Sequence, residues 1–127
     1  MKRLTIVLMT ATMIPVLCGS GSERWESRYV KVEATAYCGG PCKICGTTGI
    51  TRTGEDATGG RKGVAVDPAI FPLGSRFDVA GYGVWVRGDD TGGAIKGHRI
   101  DLRMQSHEKA KAYGRKKITV RVWRKTK

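Results

Sequence analysis

The chain has 127 residues and a formal net charge of +12. With a leader removed, about a hundred residues remain, enough for one compact domain with a core and too few for two. Beyond the N-terminus no apolar run is long enough to cross a bilayer, so the mature chain is expected to be soluble outside the cytoplasm or tethered only through its terminus.

Lys2 and Arg3 form a basic n-region, residues 4–17 an apolar h-region, and Cys18, Gly19 and Ser20 a run of small residues. Residues 1–20 are therefore expected to be a signal peptide cleaved after Ser20. Cys18 raises the alternative of a lipid-modified cysteine, the single route to membrane contact. Leu17 stands where a small residue is wanted, so ordinary cleavage is preferred. The mature chain is expected in the periplasm, the cell wall or outside the cell. Residues 21–29 are polar, lack periodicity and read as a short tether; residues 30–127 read as the domain.

Along that domain, Val30, Val32, Ala34 and Ala36 alternate and predict a strand. Residues 38–60 are rich in Gly, Thr and Cys, a long loop of the kind that is functional, cross-linked or mobile. Short strands follow at 64–66, 76–79, 84–87 and 98–102. Residues 106–113, SHEKAKAY, predict the one helix, with Ser106 as N-cap, Glu108 in the first turn and Gly114 past the end. Ile118, Val120 and Val122 alternate in a last strand. Several short strands, much glycine and a single helix point to a small β-barrel.

The chemistry concentrates in residues 88–102, GDDTGGAIKGHRIDL. Asp90 and Asp101 bracket a loop carrying Gly92, Gly93, Gly97 and Lys96, and the flanks are strand-like. A tight loop between strands brings both carboxylates to one cleft, the usual equipment for acid/base work on glycosidic bonds. The competing reading is that such acids cap turns and pair with cations. A third acid, Asp67, lies in GVAVDP, where an acid before proline also shapes turns.

In order, TAY (35–37), TRTG (51–54), GVAVDP (63–68), FPLG (71–74), DTGGAIKG (90–97) and RIDL (99–102) resemble the 3D domain family, named for three aspartates. The family is related to the membrane-bound lytic transglycosylase A barrel and, more distantly, to expansins. The resemblance runs from about Val32 to Val122. It implies a mainly β fold, a six-stranded double-psi β-barrel with one short helix. It also implies cleavage of peptidoglycan glycan strands without a cofactor, by a monomer.

On that pattern Asp101 is the acid and base. It protonates the bridging oxygen and then takes the proton of the muramyl 6-hydroxyl, which attacks C1 and yields a 1,6-anhydro product. Asp90 stabilises the developing positive charge or orients Asp101, and Asp67 is the weakest catalyst of the three. Asp89 is expected to face solvent. Thr35, Tyr37, Thr53, Thr91, Gly92, Gly93 and Lys96 are candidate substrate contacts, Tyr37 with a ring for sugar stacking. Lys96 either holds the substrate or neutralises the acids. The alternative is a cell-wall-binding module of expansin type without turnover.

Cys38, Cys42 and Cys45 form a C-x3-C-x2-C cluster. In an exported chain a disulfide is the first reading, a structural metal the second and a catalytic thiol the third. For a metal, His98 or His107 would supply the fourth ligand; otherwise His107 reads as an exposed helix residue, and His98 as a residue that lines the cleft. Trp85 and Trp123 read as strand packing. The late basic cluster attracts polyanions. Export, and the absence of interleaved aromatic and basic strand positions, argue against nucleic acid. Wall polymers are the better partners.

Overall fold

The computed structural model describes residues 21–126; the expected signal peptide, Cys18 included, lies outside the described residues. Six strands, β1 (Arg24–Cys38), β2 (Val64–Ala65), β3 (Arg76–Val79), β4 (Gly83–Asp90), β5 (Arg99–Met104) and β6 (Lys116–Thr126), are joined by one helix, α1 (His107–Tyr113). They close into a barrel in the order β1-β5-β2-β4-β3-β6, with β6 returning to β1. The pairs β1/β5 and β2/β4 are parallel and the others antiparallel. The mainly β barrel with a single short helix is thus present.

Strand alternation builds the core. Val32 and Ala34 of β1, Val64 of β2, Phe77 and Val79 of β3, Ile100 and Leu102 of β5 and Val120 and Val122 of β6 are all buried together. Phe71, from the β2–β3 connection, closes the cluster edge-on to Phe77, ring centroids 5.5 Å apart. Each of the larger side chains, Ala34 aside, contributes about 1.5–3 kcal/mol by leaving water. The helix begins where the cap chemistry places it: the Ser106 side chain accepts from the Lys109 N–H, and Gly114 takes a positive φ of 71°.

The strands outrun their local patterns at both chain ends. Residues 24–28, expected within a tether, pair with residues 122–126 of β6 in an antiparallel ribbon. Cross-strand ion pairs Glu26–Arg124 and Glu23–Lys125 line it. The partner lies almost a hundred residues away, so no local periodicity reports it. On this ribbon Trp25 packs edge-on to Trp85 (4.9 Å), and Trp85 to Trp123 (5.5 Å). Trp85 has a φ of 58°, costly for a bulky residue. Asp78 holds it there, accepting from the Trp85 N–H (2.8 Å) and from the Trp123 indole (3.2 Å).

Outward-facing residues of β5 are not all exposed. Arg103 is completely buried and forks onto Asp89, Nη2 to Oδ1 at 2.5 Å and Nη1 to Oδ2 at 3.2 Å. Asp89, expected to face solvent, is only 2% exposed. A bulge makes Asp89 an extra residue, Val64 pairing with Gly88 but Ala65 with Asp90. The long loop covers it, the Thr53 N–H donating to the Asp89 carbonyl and Arg103 Nη1 to the Arg61 carbonyl. Gly63 touches the guanidinium so closely that a Cβ there would lie 2.3 Å from Nη1. The Tyr82 hydroxyl donates to the Arg103 carbonyl (2.6 Å) and accepts from the Gly63 N–H (3.1 Å). Burial works against the Arg103 charge, and the Asp89 and Tyr37 oxygens outweigh it, so the guanidinium stays protonated.

Arg103→Met strands the Asp89 carboxylate in the interior and is expected to cost about 3–5 kcal/mol in denaturant unfolding. A loss below about 1 kcal/mol, the range of exposed pairs, would contradict this placement.

Candidate functional site

Strand register brings the acids onto one row. Thr35 of β1 is opposite Asp101 of β5, Asp101 is opposite Ala65 of β2, and Ala65 is opposite Asp90 of β4. Asp101 and Asp90 therefore stand two strands apart, on the order of 10 Å between backbones. Their side chains share the barrel's outer face, where Thr35 reaches Asp101 and Tyr37 reaches Asp90.

The three acids differ in what surrounds them. Asp101 is half-buried and accepts from Thr35 Oγ1 at 3.1 Å; it has no salt-bridge partner among the described residues. Burial pushes its carboxyl above the ordinary carboxylate range. The negative charge of Asp90 adds to this, and Thr35 and the more distant Arg99 oppose it.

Asp90 is instead fixed by three donors. Tyr37 donates its hydroxyl to Oδ2 (3.0 Å), and the N–H groups of Arg52 (3.0 Å) and Thr91 (2.9 Å) converge on Oδ1. Burial raises the Tyr37 phenol well above its usual value, so it remains a donor.

Asp67 clamps backbone. Its carboxylate accepts from Gly97 (2.8 Å) and Ala69 (3.1 Å), which hold it below the ordinary range, and Lys96 adds to the effect. An acid held ionised in this way is a poor proton donor. Asp67 anchors the glycine loop to the β2–β3 turn.

The remaining candidates divide between the cleft and its supports. Thr35 and Thr91 touch the acids directly. Thr53 pins the long loop, its N–H donating to the Asp89 carbonyl (3.2 Å) and its hydroxyl meeting that of Thr51 (2.9 Å). The Tyr37 ring is buried beside Arg103 and is not presented for sugar stacking. Gly92 turns the loop so that its carbonyl accepts from Ile95, and Ile95 packs onto Ala65 and Tyr37; Gly93 is exposed. Exposed Lys96 acts on Asp67, and the cation acting on Asp101 is Arg99.

His98 is exposed and meets Phe71 edge-on. His107 is half-buried, with Nδ1 3.3 Å from Cys45 Sγ. Cys38, Cys42 and Cys45 are free thiols. Sequence reasoning missed Arg103 and Asp89, which support the site from beneath. No local signal reports them, because the bulge at Asp89 interrupts the alternation of β4.

The acids have opposite effects on stability. Asp101 binds its proton more tightly in the folded chain, so its contribution is present at acid pH and lost as pH climbs through the raised value. Asp67 stabilises above the ordinary carboxylate range, and that contribution is lost as pH falls through its lowered value. Asp101→Asn keeps the acceptor for Thr35 and is expected to raise the melting temperature at pH 7, with the gain gone near pH 3. Asp67→Asn is expected to lower it at pH 7. Thermal melts at the two pH values check both signs.

The family model of the 3D domain matches residues 62–124, which hold Asp67, Asp90 and Asp101. Among curated proteins of Bacillus subtilis, the chain is 42% identical over 98 residues to the cell wall-binding protein YocH, covering 76% of this chain and 33% of that one. It is 41% identical over 93 residues to the SPbeta prophage-derived protein YorM, covering 68% and 37%. To the putative cell wall shaping protein YabE it is 35% identical over 105 residues, covering 81% and 25%. The matched region thus spans between a quarter and somewhat over a third of these relatives' length. Residues 62–124, Asp67, Asp90 and Asp101 among them, thus form a domain of the 3D family.

Proposed function

We propose that this protein is an exported enzyme that cleaves peptidoglycan glycan strands as a lytic transglycosylase, with residues 1–20 as its signal peptide. The observation that carries the reading is the contrast between Asp101 and its neighbours. Asp101 is half-buried, unpaired by any cation among the described residues and raised toward its protonated form. Asp90 is held still on the same face by three donors. One group ready to give a proton and one fixed anion is the division of labour that glycosidic cleavage needs.

In this mechanism the Asp101 carboxylic acid protonates the bridging oxygen as the bond to C1 of the muramyl sugar breaks. Asp90 stabilises the positive charge that develops on the ring. Asp101, now ionised, takes the proton of the 6-hydroxyl as that oxygen bonds to C1. The nucleophile belongs to the same sugar, and its high effective concentration removes the need for a bound water. The names of YocH and YabE, cell wall-binding and cell wall shaping, support the wall as the place of action.

A second reading, wall binding without turnover, is favoured by the ridge Trp25–Trp85–Trp123. Arg76 lies over Trp85, Arg121 over Trp123 and Lys125 over Trp25. An aromatic ridge under cations suits retention on an anionic glycan surface.

Purified sacculi distinguish the two. Wild-type protein is expected to release 1,6-anhydromuropeptides by mass spectrometry, at a rate that falls as pH rises through the Asp101 value. Asp101→Asn is expected to cut that rate about 10²–10⁴-fold while sedimentation with sacculi is kept. Fragments with free reducing ends would instead make the reaction a hydrolysis. Sedimentation without fragments, weakened by Trp85→Ala, would establish the binding reading.

A further inference from the structure

Three sulfurs from outside residues 62–124 meet an imidazole from within them at the base of the long loop. Cys38 ends β1 and is buried, while Cys42 and Cys45 sit half-buried in the turn that follows. Their Sγ atoms all lie within 4.8 Å of one another. His107, the first residue of α1, places Nδ1 3.3 Å from Cys45 Sγ. We propose that Cys38, Cys42, Cys45 and His107 form a tetrahedral site for a structural zinc ion.

The donor set suits that metal. Three thiolates and one imidazole are a known combination for closed zinc sites, and soft sulfur disfavours magnesium and calcium. Bonds of about 2.3 Å to sulfur and 2.0–2.1 Å to nitrogen, at tetrahedral angles, separate neighbouring donors by roughly 3.6–3.8 Å. The three sulfurs, within 4.8 Å of one another, need shifts of about an ångström to meet this, and His107 already stands 3.3 Å from Cys45 Sγ.

The local backbone is also built for it. Cys42 and Thr47 bond reciprocally, N–H to carbonyl at 2.9 and 3.0 Å, closing a tight turn around the Cys42–Cys45 pair. Inside it the Cys45 N–H donates to Cys42 Sγ (3.4 Å), and Gly46 takes a φ of 67° to let the chain leave. An N–H aimed at sulfur favours the thiolate that a metal requires. A disulfide would use two of the sulfurs and leave the third, with His107 beside it, unexplained.

The ion would tie the end of β1, the long loop and α1 together. The same loop delivers the Arg52 N–H to Asp90 and the Thr53 N–H to the strand beneath. The site would thereby stiffen one wall of the acid-bearing cleft. This inference does not depend on whether the cleft turns over substrate.

The test uses the full chain purified with a phosphine reductant and without a metal-affinity tag. Elemental analysis is expected to find one zinc per chain, and chelator is expected to lower the melting temperature. Cobalt(II) alone is expected to give the intense visible bands of a tetrahedral centre and a near-ultraviolet sulfur-to-metal transition. Cys42→Ser is expected to abolish these. His107→Ala, a mild change at a helix start, is expected to move the visible bands and weaken cobalt binding at least tenfold. Cys38, Cys42 and Cys45 all titrating as thiols with no bound metal, or a disulfide that forms in preference to zinc uptake, would overturn the proposal. An unchanged cobalt spectrum in His107→Ala would overturn the four-donor assignment.

Discussion

The buried contact between Arg103 and Asp89 is the constraint on which the functional face depends. A guanidinium and a carboxylate removed from water carry a desolvation penalty of several kcal/mol per ion, recovered only when both are saturated with well-placed partners. Here the saturation comes from four directions. Asp89 supplies the fork, Tyr37 takes the Nε hydrogen, the Arg61 carbonyl takes another, and Tyr82 holds the Arg103 backbone. Because Tyr37 also donates to Asp90, the network ends on one of the proposed catalytic groups. Asp90 is thus positioned by a buried chain of contacts that cannot shift one member at a time.

The same bulge that inserts Asp89 places Asp90 opposite Ala65. Two consecutive acids then do different work, one neutralised by Arg103 under the long loop and the other facing the row that holds Asp101. Asp101 has a single hydroxyl as partner and an apolar cluster, Tyr37–Ala65–Ile95, beside it on the same face. Environment, and not residue type, separates the four aspartates of this region. Asp67 is bound to backbone N–H groups, Asp89 to a guanidinium, Asp90 to three mixed donors and Asp101 to almost nothing. A less satisfied carboxyl is the one whose proton is held longest as pH rises.

The long loop and the aromatic ridge show where such a small barrel spends its stability. The loop has little regular structure, yet its N–H groups complete the Asp90 site, so its rigidity matters to the cleft. Its middle is pinned by the Thr53 N–H on the Asp89 carbonyl and by the Thr51–Thr53 hydroxyl contact. On the far ribbon, Trp85 holds a strained backbone that Asp78 sustains from both sides. Strain retained by specific contacts is a feature associated with recognition surfaces.

Much of this was readable from residue order. Alternation at Val30–Ala36 and Ile118–Val122, the cap at Ser106 and the glycine-rich run after Asp90 set strands, helix and loop near their observed places, because each depends on neighbours a few residues away. The spacing of Asp67, Asp90 and Asp101 within recognisable motifs was enough to assign the family. What residue order did not disclose was pairing between distant segments. The ribbon of residues 24–28 with β6, the fork of Arg103 onto Asp89, and the approach of His107 to Cys45 all join residues between 14 and about a hundred positions apart. Barrel closure sets those distances, since strand order and register follow from how all six strands pack at once, and no short stretch of chain carries that information.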